Sequence, residues 1–392
     1  MNYMRGSEIH TSGSAISGEG TCSRDNINRD NINSAENRRL IVIKPACDSE
    51  DRASRLDGML LPYLDELKER GIDVVIYSHV SEFEDRNISS ERILFAVALS
   101  EAGVNIEYYR LLEHLRGHSD CLEGSVGGII VDGGGEFYTK AIARRFAFSA
   151  NMCGCTFPGK PLVEATGSLG NFHVLSTISG REPEDIYCTQ VRSLVDKVLD
   201  FGLPEVSGKI KLLALHASTR RTSNTLLLWD MVKKHLYSRA EITEISLQNG
   251  QIYDCRGCSY EACLHFGEQG TCFYGGIITD QVYPALLEAD AVVLICPNYN
   301  DALSANLTAF VNRLTSLFRS HDFSDKRVYA VIVSGYSGGD IIAEQIIGAL
   351  NFNKSFILPA DFAMLETAND PKSILAVADI EEKAGKFAFR IY

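Results

Sequence analysis

The stretch His216-Ala-Ser-Thr-Arg-Arg-Thr-Ser-Asn-Thr225 decides the fold of this 392-residue chain. It follows an apolar run, Ile210 to Leu215, which predicts a buried strand, and it leads directly into a helical pattern. A loop that is rich in hydroxyl groups and ends at a helix N-terminus suits an anion, because the helix dipole and the unpaired N–H groups favour negative charge. The alternative is that Ser223 or Asn224 only caps the helix.

Two more polar loops follow later strands of the same predicted sheet. Pro297-Asn-Tyr-Asn300 with Ser304 comes after the third strand, and Ser334-Gly-Tyr-Ser-Gly-Gly339 comes after the fourth. Loops at the carboxyl ends of parallel strands meet at one edge of an open sheet. Three such loops predict one site for a flat, anionic ligand. The predicted strands are Ile210 to Leu215, Glu241 to Ser246, Ala291 to Cys296, Arg327 to Val333 and Ser355 to Leu358, with helices near 224–237, 281–289, 303–319, 339–350 and 371–385.

These loops resemble those of the NAD(P)H-dependent FMN reductase family, in the flavodoxin-like superfamily, and especially its iron-sulfur flavoprotein branch. Ala217 to Thr225 is similar to the family's phosphate loop, and Pro297, Tyr299 and Ser304 with Asn312-Arg313 are similar to its second motif. The resemblance covers about residues 209 to 360. It implies an α/β fold with a doubly wound five-stranded parallel sheet, FMN as cofactor and NAD(P)H as electron donor.

The resemblance also implies the roles of individual residues. His216 stands where the family usually has glycine. No side-chain acid or base is required, since the flavin supplies the chemistry. The residues expected to bind the flavin phosphate are Ser218, Arg220, Ser223, Asn224 and Thr225; those expected around the ring are Pro297, Asn298, Tyr299, Asn300, Ser304, Ser334, Gly335, Tyr336, Gly338 and Gly339.

Four cysteines are clustered between the second and third strands. Cys255, Cys258, Cys263 and Cys272 form the pattern Cys-x2-Cys-x4-Cys-x8-Cys, and four thiolates so close in sequence can bind an iron-sulfur cluster or zinc. Similarity to the iron-sulfur flavoproteins implies a [4Fe-4S] cluster, although this spacing is longer than is usual there. Zinc and free, redox-active thiols are the alternatives.

The N-terminal half is predicted to be a degenerate copy without flavin. Gly128 to Glu136 echoes Val292 to Asn300, and Lys160 to Asn171 echoes Lys326 to Gly339, followed by a strand from Phe172 to Ser176. The first strand of this copy is either Leu40 to Lys44 or Val74 to Ser78. Its loops are acidic, in Asp48 to Arg52 and in Ser81 to Asp85, which disfavours a second phosphate. The expected organisation is a disordered tail over 1–38, a flavin-free domain over 39–206, and an FMN domain over 207–392 with a cysteine-rich insert at 252–275.

Composition restricts the class of partner. A net charge of −13 disfavours nucleic acid and anionic membranes as partners. The sequence has no run of eighteen apolar residues, so it does not predict a membrane span. A cytoplasmic protein with a small-molecule or redox-protein partner, forming a homodimer or larger homo-oligomer, is expected. We predict an FMN-dependent oxidoreductase that passes electrons from NAD(P)H or a reduced carrier to a small acceptor. The alternatives are a flavin and iron-sulfur electron carrier or sensor, and a flavin-free binding module with zinc.

Overall fold

The computed structural model describes residues 38–47, 50–218, 223–247 and 252–391. The predicted tail over 1–38 therefore lies almost wholly outside the described residues, as does part of the acidic stretch Asp48 to Arg52. Residues 38–206 are called the N-terminal half below, and residues 207–391 the C-terminal half.

Each half contains one five-stranded sheet whose strands are all parallel. The strand orders are β2-β1-β3-β4-β5 and β7-β6-β8-β9-β10, which are the same order and the flavodoxin-like one. The strands of the N-terminal half are Arg39–Ile43 (β1), Asp73–Tyr77 (β2), Arg92–Ala98 (β3), Val126–Asp132 (β4) and Leu162–Ala165 (β5). Those of the C-terminal half are Ile210–His216 (β6), Ala240–Ser246 (β7), Ala291–Pro297 (β8), Arg327–Ser334 (β9) and Ala363–Thr367 (β10).

The helices lie on both faces of each sheet, because the central strands are apolar on both sides and must be covered. The π-helical turn Ile278–Val282 precedes α8, and the π-helical turn Ile347–Phe352 continues α10. In the N-terminal half the helices are Glu50–Glu69 (α1), Ile106–Gly117 (α2), Thr139–Asn151 (α3), His173–Ser179 (α4) and Pro183–Asp200 (α5). In the C-terminal half they are Asn224–Leu236 (α6), Tyr260–Glu268 (α7), Tyr283–Glu288 (α8), Ala305–Phe318 (α9), Gly339–Ile346 (α10) and Ile380–Arg390 (α11).

The predicted fold class and its duplication are confirmed, and four details of the prediction are wrong. The fifth strand is β10, whereas Ser355 to Leu358 forms only isolated bridges to Phe157 and Arg327. The predicted strand Phe172 to Ser176 is helical, and the predicted helix over 371–385 starts later, as α11. The repeat matches are shifted by one strand, because β4 corresponds to β9 and β5 to β10. Of the two candidates for the first strand, β1 is central and Val74 to Ser78 corresponds to the edge strand β2.

The two halves pack together around matching asparagines. Asn151 at the end of α3 donates to Cys155 O at 2.9 Å and to Pro359 O of the other half at 2.6 Å. Asn351, at the corresponding place after β9, donates to Phe356 O at 2.7 Å and to Pro158 O at 2.9 Å. Both side chains are fully buried, and one hydrophobic core contains residues of both halves. The halves therefore form one folded unit with an approximate internal symmetry.

Candidate functional site

The predicted phosphate loop joins the end of β6 to the start of α6. Ser218 is buried, and its Oγ has no hydrogen-bond partner in the described part of the chain. Ser223 caps α6, since its side chain accepts a hydrogen bond from Leu226 N at 3.3 Å. Arg220 lies outside the described residues. Thr225 is buried in the first turn of α6, so Ser223, Asn224 and Thr225 lie at the helix start, while Ser218 lies just after β6.

Asn224 has a structural contact that the sequence did not indicate. Its Nδ2 donates to Ala368 O at 3.1 Å and to Asp370 O at 2.9 Å, which ties the start of α6 to the loop after β10. Its Oδ1 is buried without a partner among the described residues. The side-chain amide hydrogens are thus engaged in positioning the loop, and the Asn224 backbone N–H at the helix start remains for an anion.

The loops after β8 and β9 are held together by Asn298. Its Nδ2 lies 3.1 Å from Ser334 Oγ, 2.9 Å from Ser337 O and 3.1 Å from Asp301 Oδ1, while its Oδ1 accepts from Asp301 N at 2.8 Å. Gly338 adopts a φ of +84°, and a Cβ there would come within 2.0 Å of Asp301 Oδ1. Only glycine fits at this position. The close approach of the two loops explains the predicted Ser-Gly-Tyr-Ser-Gly-Gly pattern.

Aromatic and polar groups on these loops face solvent at the carboxyl edge of the sheet. Tyr299 is 54% exposed and Tyr336 is 80% exposed, although Tyr336 also accepts a hydrogen bond from Asn369 Nδ2 at 3.2 Å. Ser304 is buried at the start of α9, and its Oγ has no partner within the described ranges and does not cap the helix. The remaining predicted ring-lining residues, Pro297, Asn300, Gly335 and Gly339, lie on the same two loops. A cavity of about 410 Å³ lies beside them between β9 and β10.

A buried charged network lies beneath the phosphate loop and was missed from the sequence. Glu244 of β7 accepts hydrogen bonds from Trp229 Nε1 at 3.2 Å and from Lys233 Nζ at 2.9 Å. His216 Nε2 lies 3.6 Å from Glu244 Oε1. The contact with His216 lowers the pKa of Glu244 most, and Lys233 and Trp229 lower it further. Burial acts in the opposite direction, and the resulting pKa is about 2. A glutamate on the buried face of a strand, next to a strand-end histidine, was the available signal.

The four predicted cysteine ligands line one cavity of about 180 Å³ between α7 and α9. Cys258 Sγ lies 3.9 Å from Tyr274 Oη, and this contact raises the pKa of Tyr274. In the described ranges no three Cys, His, Asp or Glu side chains form a ready metal-binding group. The four predicted ligands are therefore brought to one cavity, and binding a metal there would require their thiols to move closer together.

The helix α9 connects the ring loops to this cysteine cavity. Arg313 is buried and donates from Nη2 to Gly275 O at 2.8 Å, with Nη1 3.5 Å from Tyr253 O. It thus contacts the segments just before the first cysteine and just after the last. One turn further, Ser316 Oγ donates to Thr271 O at 2.6 Å. The resemblance singled out Arg313, and the structure gives it a role in positioning the cysteine segment.

Comparison with known proteins finds a family match in the C-terminal half. The family model described as NADPH-dependent FMN reductase matches residues 210–370. No curated protein matches the chain. Similar solved structures include an NAD(P)H:quinone oxidoreductase from Methanothermobacter marburgensis, with 12% identity, a TM-score of 0.36, and coverage of 47% of this chain and 100% of its own. An FMN-dependent NADH-azoreductase from Bacillus anthracis str. Ames Ancestor, solved with FMN, has 11% identity, a TM-score of 0.29, and coverage of 46% and 99%.

No helix in the described residues is long and apolar enough to cross a membrane.

The family match lies within the half that carries the three converging loops, and it extends over β6 to β10. By this match the C-terminal half is similar to the NADPH-dependent FMN reductases over residues 210–370.

Proposed function

We propose that the protein oxidises NAD(P)H with an FMN held at the carboxyl edge of the C-terminal sheet, and passes the electrons to a small acceptor. The observation that supports this most directly is a pair of buried hydroxyl groups at that edge, Ser218 Oγ and Ser304 Oγ, which have no partner among the described residues. A buried hydroxyl without a partner is costly, and a polar ligand removes that cost. The described residues therefore fit a phosphorylated flavin.

The residues of the chain would bind and orient the cofactor. The α6 N-terminus and Ser218 would hold the phosphate, because the helix end presents free N–H groups. Tyr299 and Tyr336 are exposed enough to pack against the flat ring. FMN, when bound, supplies the hydride chemistry. Asn298 keeps the two ring loops together through its hydrogen bonds to Ser334 Oγ and Ser337 O.

The cysteine cavity adds a finer proposal, which is that its four thiols bind an iron-sulfur cluster. The cavity is lined by cysteines and aromatic side chains, with the guanidinium groups of Arg313 and Arg319 alongside. Cysteine side chains are the usual protein ligands of an iron-sulfur cluster. This would make the chain an electron carrier as well as an enzyme, since α9 begins at the flavin loop and ends beside the cavity.

The other functional assignments are part of the same proposal. A small-molecule or redox-protein acceptor, a homodimer or larger homo-oligomer, and a cytoplasmic location are consistent with the acidic chain. The domain limits 39–206 and 207–392, with a cysteine-rich insert at 252–275, are proposed as the products of duplication. The shared strand order of the two sheets supports this reading.

Anaerobic reconstitution tests the function. The purified chain is titrated with FMN, and the bound flavin is then mixed with NADH or NADPH while its absorbance is followed. We expect stoichiometric FMN binding, bleaching of the flavin by at least one nicotinamide, and recovery of the colour when a quinone is added. An unbleached flavin would contradict the NAD(P)H proposal, and a stable semiquinone with slow nicotinamide oxidation would favour the carrier. Iron and zinc analysis of the same sample tests the cysteine site.

A further inference from the structure

His216 is a buried histidine at the end of β6, immediately before the predicted phosphate loop. The side chain is 3% exposed, and its Nδ1 has no hydrogen-bond partner among the described residues. The residue lies two positions before Ser218, whose hydroxyl also has no partner in the part of the chain that the structure describes. Two adjacent buried polar groups that lack partners at one loop are unusual, because most buried polar atoms in proteins are hydrogen-bonded.

The network beneath the loop fixes the chemistry of this imidazole. Glu244 of β7 faces Nε2, and Lys233 of α6, itself paired with Asp230, contacts the same carboxylate. On the other side, β8 places the apolar residue Ile295 beside His216. An ionised carboxylate can only accept hydrogen bonds, so Glu244, at 3.6 Å, favours the tautomer with its hydrogen on Nε2. In the neutral ring Nδ1 is then a bare acceptor, and only the protonated ring can donate from Nδ1.

We propose that His216 is a further binding residue of the flavin site, in which Nδ1 takes up a proton when the cofactor binds and donates a hydrogen bond to the phosphate group, while Glu244 holds Nε2. This rests on the proposed function. A phosphate beside Nδ1 and a carboxylate beside Nε2 both favour the imidazolium, since opposite charges at short range stabilise the charged form. The proton comes from solvent, and no bond of the flavin is changed.

The consequence is a phosphate-specific, pH-dependent affinity. FMN affinity should fall as the pH rises above about 7, because the phosphate stays doubly charged there and only the protonated imidazole can donate to it from Nδ1. Riboflavin has the same ring but no phosphate, so its affinity should not follow this change. Glu244 cannot itself donate a hydrogen bond to the phosphate, so its removal should weaken FMN binding less than removal of His216.

Fluorescence titration of the full chain with FMN and with riboflavin tests the proposal. We expect His216→Gln to weaken FMN binding roughly tenfold, as for a hydrogen bond to a charged group, and to leave riboflavin binding unchanged. Glu244→Gln should weaken FMN binding by a smaller factor. His235→Gln, an exposed histidine in the last turn of α6, is the matched control and should change neither affinity.

The wild-type pH series gives a second test that needs no variant. A wild-type FMN affinity that falls above about pH 7, together with a flat riboflavin affinity, supports the proposal. An unchanged FMN affinity in His216→Gln, an equal loss for both flavins, or a pH-independent wild type would overturn it while leaving the FMN function intact. If the wild type binds neither flavin, the proposed function itself fails, and this inference fails with it.

Discussion

At the scale of single residues, the candidate flavin site differs from the rest of the core in how its buried hydroxyl groups are used. Ser125, in the N-terminal half, is fully buried, donates to Ile88 O at 3.0 Å and accepts from Glu91 N at 3.1 Å. Ser304 is buried at the flavin site and makes no such bond within the described residues. A serine that contributes nothing to the apo fold has a different reason to be there, and a ligand is the simplest one.

Ser304→Ala should therefore separate binding from stability. Removing an unpartnered hydroxyl should change the free energy of unfolding of the apoprotein by less than about 0.5 kcal/mol, while FMN affinity falls roughly three- to tenfold. Urea unfolding and FMN titration measure the two quantities. Ser125→Ala is the matched control and should cost about 1–3 kcal/mol of stability without affecting FMN affinity. A Ser304→Ala variant that loses stability but binds FMN normally would show a structural hydroxyl.

The stability of the junction between the halves should depend on pH through Asp361. Burial raises the pKa of Asp361 to about 6, although Arg390 beside it acts in the opposite direction. The protonated carboxyl is thus favoured in the folded state, so its contribution to stability is complete below the ordinary pKa of 3.8 and is lost as the pH rises through about 6.

Asp361→Asn removes this titration. We expect the variant to be more stable than the wild type at about pH 8 and to show little gain at about pH 4, because asparagine stays neutral throughout. Urea unfolding at several pH values measures the difference. Arg390 keeps its ion pair with Glu123, so the junction retains one charge pair. A constant difference across the series, or a loss of stability at high pH, would contradict the assignment.

The sequence could predict the loop residues but not the network behind them. Ser218 and Ser304 belong to local patterns, and local patterns are readable because a loop and the helix it enters are adjacent in sequence. Glu244 reaches His216 only because β6 and β7 are neighbours in register. Asn298 likewise contacts Ser334 across two loops. Contacts of this kind depend on strand order and register, which side-chain types alone do not specify.

At the scale of elements, the sequence predicted most helices and strands and misplaced those at the junction of the halves. Phe356, Ile357 and Leu358 are apolar and buried, as a strand would be, yet Leu358 pairs antiparallel with Phe157 of the other half. Periodicity reports burial and cannot distinguish a strand within a sheet from a segment buried between two halves. The predicted strand Phe172 to Ser176 is wrong because its apolar residues do not mark a buried strand. They belong to the short helix α4, where Val174 and Ile178 are exposed.

The packing of α7 on α9 leads to a prediction about glycine. Gly267 lies so close to α9 that a Cβ would meet Ser316 O at 2.2 Å, whereas a Cβ on Gly58 in α1 would meet nothing within 4 Å. Gly267→Ala should therefore push α7 away from α9, lower the melting temperature and increase the reactivity of Cys263 with a thiol reagent. Gly58→Ala should stabilise the chain by about 0.5–1 kcal/mol through helix propensity.

Melting curves and thiol-labelling rates of the two glycine variants provide the comparison. FMN affinity should be similar in both, because neither residue lies on the flavin loops. If Gly267→Ala has the same stability and thiol reactivity as the wild type, α7 is not packed as described. If both variants are destabilised, the effect is not specific to the contact with Ser316.

At the scale of the whole molecule, the structure resembles a pair of flavodoxin-like units joined in one chain, with flavin predicted in only one of them. The corresponding carboxyl edge of the N-terminal sheet is occupied by the chain itself. The Arg55 guanidinium binds the buried Asp132 carboxylate and donates to Gly133 O at 3.0 Å and Gly167 O at 2.9 Å. Tyr187 Oη also donates to Asp132, at 3.1 Å. At this edge the described polar groups of Arg55, Asp132 and Tyr187 are thus engaged with one another.

Because the halves share one core, they should unfold together, and the single tryptophan can report this. Trp229 is fully buried in the C-terminal half, while Asn151 lies in the N-terminal half and donates to Pro359 O across the junction. Asn151→Ala leaves buried carbonyl groups without their donor, which should cost about 2–4 kcal/mol. We expect the urea midpoint measured by Trp229 fluorescence to fall, and to coincide with the midpoint measured by circular dichroism.

Asn105→Ala, which removes a buried asparagine within the N-terminal half alone, should shift the Trp229 midpoint as well if unfolding is concerted. A Trp229 transition that stays in place while circular dichroism shows an earlier step would mean that the halves are independent domains, and the degenerate copy would then not be required for the stability of the flavin half.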